Sequence, residues 1–124
     1  MSSLQRPLRE VVSVHDLDAE RTASLAADGF SRTGRTARTV VKNGAMRVVL
    51  VSLGPGGELA EHQAPGPISI QPLVGRLVFR AGGESRSLEV GQLLTADAGL
   101  AHSVHSEEGT TFLLTVADAR SKEG

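Results

Sequence analysis

From about residue 39 to residue 117 the chain repeats one pattern, in which short runs of β-branched residues and leucine alternate with glycine-containing turns. RTVVKNGAMRVVLVSL is followed by LGPGGE, then by ISIQPLVGRLVF with extended segments on both sides of Gly75, then RAGGES, SLEVGQLLTA, LAHSVHS and TTFLLTVA. Runs of this length and composition predict strands. Asn43-Gly44 between two apolar runs is the strongest short-range hairpin signal. No helix of crossover length separates the runs, which argues against a parallel α/β sheet and for an all-β sandwich or barrel.

Residues 1–38 read differently. Ser13 or Asp16 is placed to cap a short helix through LDAERTASLAA, with Leu17, Leu25 and the alanines as a weak apolar side and Gly29 as its stop. SRTGRTAR then breaks any period. This section has too few large apolar residues for a core of its own, so it is expected to cross the surface of the strand-rich domain or to cover a partner subunit. Residues 118–124 are a short polar tail.

At 124 residues the chain is one domain of ordinary size, able to bury one real core. It has no cysteine, which removes disulfides, thiolate nucleophiles and sulfur ligands. Tryptophan and tyrosine are also absent, and the aromatic residues are Phe30, Phe79 and Phe112, too few to form a stacking platform for single-stranded nucleic acid. The net charge is -1. Arg21, Arg32, Arg35, Arg38, Lys42 and Arg47 nevertheless face a single acid, Asp28, in the stretch from Arg21 to Arg47. This stretch reads as a solvated face and linker, since no motif supports a patch for an anion or nucleic acid. The opening MSSLQRPLREVVSV is too weakly apolar for a signal peptide, and no run approaches the roughly 20 residues of a membrane span. A cytoplasmic protein that engages no membrane is expected.

Two segments carry candidate chemistry. GGELAEHQAPGPISIQPLVG places Gly56, His62, Ala64, Ile68 and Gly75 at the spacing G-x5-H-x-H-x3,4-E-x6-G, and GQLLTADAGLAH places Gly91, Asp97, Gly99 and His102 at the spacing G-x5-P-x-G-x2-H. These are the two motifs of the cupin superfamily, which the chain resembles over roughly residues 40–117. The resemblance implies an antiparallel jelly-roll β-barrel of the RmlC-like type. It also implies a metal site in the barrel, where the family's full pattern uses three histidines and a glutamate.

In this chain Ala64 stands at the second histidine and Ile68 at the glutamate, and neither side chain can coordinate. His62 and His102 remain as candidate ligands for a divalent ion such as Zn, Ni, Mn or Fe, or as polar groups of a metal-free pocket. Gln63, Gln71 and His105 have the wrong strand parity to replace the missing donors unless a bulge intervenes. Ile68, Ile70 and Val74 read as walls of the pocket or core, which makes the cavity suited to a small apolar or amphipathic ligand. Glu58 and Glu61 read as charges near the mouth, and His15 lies outside the barrel.

No catalytic residue is assigned. Imidazoles serve acid–base chemistry near neutral pH, but no nucleophile elbow or evident buried carboxylate accompanies them, and GPGG lacks the Gly-Lys-Ser/Thr of a phosphate loop. Three functional classes stay open: a small cupin binding a small molecule or a weakly held metal, a metal-dependent dioxygenase or isomerase, and a regulatory cupin acting through a partner protein. A homodimer is expected, because a chain so rich in strands has edges that need covering.

Overall fold

The computed structural model describes residues 11–118. After the helices α1 (Leu17–Ala26) and α2 (Asp28–Thr33) come eight strands, β1 (Arg35–Asn43), β2 (Met46–Leu53), β3 (Gly57–His62), β4 (Ile68–Ala81), β5 (Glu84–Glu89), β6 (Leu94–Ala96), β7 (His102–Ser106) and β8 (Thr110–Ala117). All pairings are antiparallel. The main path runs β1-β2-β8-β4-β7-β3, with β5 and β6 also paired to β4, and the sheet curls into a half-barrel.

The predicted hairpin is the β1–β2 turn, but shifted by one residue. Asn43 pairs with Met46, so Gly44 and Ala45 are the two central residues. Gly44 has φ 58°, and among the described residues no non-glycine residue has positive φ. A positive φ at the first central position alone is the II′ arrangement, which needs glycine there.

β4 is the spine of the barrel. Its first half pairs with β6 and β8 and its second half with β5 and β7. Gly75, with φ 72°, stands at the exchange, where a Cβ would lie 2.2 Å from the Gly109 carbonyl oxygen. Only glycine lets β4 turn this corner against β8.

Val49, Val51, Leu53, Ile68, Ile70, Leu77, Phe79, Leu88, Val104, Phe112 and Val116 form the core inside the curl. β2 is buried on both faces from Val49 onward because α1 covers its outer side. Leu50, Ser52 and Thr111 lie buried on that side. The Arg21 Nε donates to Thr111 Oγ1 at 2.9 Å, and Thr111 Oγ1 also bonds Ser52 Oγ at 2.8 Å. The helical section therefore crosses the surface of its own domain, where an Arg38–Glu20 ion pair ties β1 to α1.

The N-terminal details differ from expectation. Asp16 is the cap, accepting from Ala19 N–H, but α1 stops at Ala26 and Gly29 lies within α2. Ala27 adopts extended backbone with ψ 146°, which breaks the helix before the glycine is reached. β1 then starts at Arg35, ahead of the expected start near Thr39, because pairing with β2 overrides the weak local pattern of RTAR. No helix among the described residues is long and apolar enough to cross a membrane.

Candidate functional site

His62 and His102 come from the last position of β3 and the first of β7, and are cross-strand partners. Gly99 N–H, in the turn before His102, donates to the Ala64 carbonyl at 2.9 Å and joins the two motif segments. The two imidazole centroids are 4.4 Å apart with the ring planes inclined at 58°. His102 also lies on Phe79, centroid to centroid 5.0 Å and nearly parallel at 20°. His102 is 3% exposed, whereas His62 is exposed at the mouth of the curl.

The hydrogen bonds determine what this pair offers. His102 Nδ1 is 2.9 Å from the Leu100 carbonyl oxygen and His62 Nδ1 is 3.0 Å from that of Ala60. A carbonyl only accepts, so in each neutral ring Nδ1 carries the proton and Nε2 keeps a lone pair. Both rings are thus held in the tautomer that presents Nε2 as an acceptor or ligand.

Burial lowers the pKa of His102 below the ordinary 6.5, the Leu100 carbonyl partly opposes this, and His62 adds a smaller repulsion in the same direction as burial. The sign for stability follows. On acidification below 6.5 the unfolded chain takes up a proton that folded His102 resists, so stability is fully present above that value and falls as pH drops toward the folded pKa. Urea unfolding at successive pH values from neutral to mildly acidic is expected to show this loss in the native protein and a shallower one in His102→Gln. Equal slopes in the two proteins would remove His102 as the cause.

The residues at the two substituted motif positions are apolar packing. Ala64 packs against the core and Ile68 belongs to it. Ile68 and Ile70 are buried at 4% and 1% exposure, but Val74 is 40% exposed and walls neither core nor pocket. The register of β4 against β8 shifts between Pro72 and Val74, which reverses the inward parity, so that Leu77 and Phe79 face inward instead. Gln63 and Gln71 are exposed. His105 alternates with His102 and faces a separate surface cleft with Glu107 and Glu108. Glu61 is exposed, and His15 is exposed with its Nε2 3.1 Å from Ser13 Oγ.

A cavity of about 540 Å³ opens at His62, between the β1–β2 hairpin and β3. Arg35, Arg47 and Glu58 line it together with Ala37, Val49, Val51, Leu59 and Leu114. A second cavity, about 630 Å³, lies against β5 and β6 and touches Phe79 and Leu100. The sequence reading missed Phe79, Arg35 and Arg47 as site residues. Arg47 had a signal, since it shares parity with Val49 and Val51; Arg35 had none, because it stood in what read as linker.

No protein-family profile and no curated protein matches this sequence. Solved structures do match. An RmlC-like cupin from Desulfovibrio desulfuricans superposes with TM-score 0.69 at 23% identity, over 86% of this chain and 96% of that one. An RmlC-like cupin family protein from Methanocaldococcus jannaschii, described as a double-stranded β-helix, gives TM-score 0.64 at 12% identity, over 73% and 86% of the two chains. The fold is that of the cupins. A conserved protein of unknown function from Streptococcus pyogenes is also similar, with TM-score 0.64 at 25% identity, over 70% of this chain and 76% of that one.

Cupin motif positions can therefore be compared with the side chains present. Two imidazoles keep Nε2 without a carbonyl partner, and among the described residues no group of three or more His, Cys, Asp or Glu side chains could hold a metal ion. Alanine and isoleucine take the places of the other two donors. This donor set does not fit a resident metal cofactor.

Proposed function

We propose that this cupin binds a small molecule in the cavity at His62, with the histidine pair as its polar contact, and that any divalent ion there is held weakly and exchangeably. The observation that carries the reading is the pair of Nδ1-to-carbonyl hydrogen bonds, which leave Nε2 of each ring as an acceptor, with His62 in the lining of the cavity and the buried His102 ring against it. A site of this kind recognises a donor group on a ligand. It holds a cation poorly, because both rings must stay neutral and Ile68 supplies no carboxylate at the motif position to offset the charge.

Elemental analysis and calorimetric titration with Zn²⁺ on untagged protein test this, alongside His62→Ala and His102→Ala. The expected result is substoichiometric metal in the native protein and weak uptake that is lost in both variants. Tight stoichiometric metal, with turnover that disappears in both variants, would overturn the reading in favour of a metal-dependent dioxygenase or isomerase. Sedimentation of the same native sample addresses the homodimer that belongs to this reading. β1 and β3 end the path of the described sheet, and an edge strand is covered by pairing. A monomer at micromolar concentration removes the homodimer.

A further inference from the structure

We infer that the ligand of this cavity carries a carboxylate and that Arg47 holds it; the inference rests on the small-molecule reading above. Arg47 precedes Val49 and Val51 on the inner face of β2, so strand alternation delivers its side chain to the cavity those two valines floor. Arg35, the other guanidinium in the lining, belongs to the opposite end of the hairpin, where it pairs with Leu53. From Leu53 back to Arg47 along β2 is about 20 Å at the usual rise per residue.

The two ends differ in their charge balance. β3 begins beside Leu53, since Gly57 N–H donates to the Gly54 carbonyl at 2.8 Å and a Cβ on Gly57 would lie 3.2 Å from the Gly34 carbonyl oxygen. Glu58, the next residue, therefore lines the cavity nearer the Arg35 end, although no ion pair joins the two. At the other end the cross-strand neighbour of Arg47 is Lys42, a second cation. The acid near that end is Asp118, whose N–H donates to the Ala45 carbonyl at the hairpin tip. Among the described residues neither Arg47 nor Arg35 forms an ion pair, so what marks Arg47 is the second cation beside it and the distance from Glu58 along the hairpin.

A guanidinium that forms no ion pair with the described residues, at the edge of an apolar cavity, is matched by a planar anion that it grips through two parallel hydrogen bonds. The rest of the ligand would lie on Val49, Val51, Leu59 and Leu114, which selects an apolar body over a sugar or a nucleotide. The class is a small monocarboxylate with an aliphatic or aromatic body. Because Arg47 is exposed, its attraction is screened by salt and the affinity is modest.

Hexanoate and its neutral isostere hexanamide separate charge recognition from simple filling of the cavity. Binding is followed by the shift of the His62 ring resonances in native protein, Arg47→Gln and Arg35→Gln, all checked for native circular dichroism. Hexanoate is expected to bind the native protein about tenfold or more tighter than hexanamide, and added salt should narrow the gap. Arg47→Gln should abolish the preference and Arg35→Gln should keep it. Equal binding of the two probes, or a preference that survives Arg47→Gln, overturns the carboxylate inference while the small-molecule reading stands. If neither probe moves the His62 resonances, both fall together.

Discussion

Restoring both missing donors, Ala64→His together with Ile68→Glu, is expected to tighten Zn²⁺ binding on the order of 100-fold or more over the native protein. The native pair offers two neutral nitrogens and no charge. The double variant adds a third imidazole and a carboxylate that offsets the ion. The surroundings favour the result, because His62 and His102 are already cross-strand partners and the Gly99–Ala64 hydrogen bond holds position 64 against the segment that carries His102. Without metal the same change should be damaging. Ile68 is 4% exposed inside the core, and an unpaired carboxyl group placed there costs several kcal/mol unless it takes a proton. The variant should therefore melt well below the native protein in EDTA and recover when Zn²⁺ is added, with calorimetry giving the affinity. A variant that is folded in EDTA yet binds Zn²⁺ no better than the native protein would show that positions 64 and 68 do not converge on the histidine pair.

Phe112→Ala is expected to cost about 3–5 kcal/mol, a large share of what a domain of this size has in total. Phe112 is 1% exposed on β8, between Val51 of β2 and Pro72 of β4, and its removal opens the centre of the curl where three strands meet. Val74→Ala should stay within about 0.5 kcal/mol although it too shortens an apolar side chain of the same sheet. Urea unfolding of the two variants checks the pair. A Val74→Ala cost approaching that of Phe112→Ala would mean that the register of β4 differs from the one described.

Several elements were legible in the chain because they depend on neighbours in sequence. The strands follow from runs of valine and leucine between glycines, the hairpin from Asn43-Gly44, and the cap of α1 from Ser13 or Asp16, of which the structure uses Asp16. The meeting of His62 with His102 was legible through motif spacing, which encodes a strand pairing already. Positions one step from a bulge were not legible. Val74 sits on the right parity for the core if β4 is regular, and the shift after Pro72 carries it outward. Likewise RTAR has no strand pattern of its own, so the placement of Arg35 in β1 came from the partner strand.

What the sequence determined by itself was the fold class, the two histidines and the absence of donors at the two other positions of the motif it resembles, since each of these is a matter of residue type and local spacing. The tertiary structure decided which tautomer the histidines hold, because the Ala60 and Leu100 carbonyls that set it depend on how the segments before each ring bend. It also decided that Arg47 and Arg35, one basic stretch in sequence, stand at opposite ends of the β1–β2 hairpin and line one cavity together with Glu58. The physical reason is common to both. Hydrogen-bond direction and charge balance are properties of groups brought together across strands, and a chain read residue by residue contains the groups but not their distances.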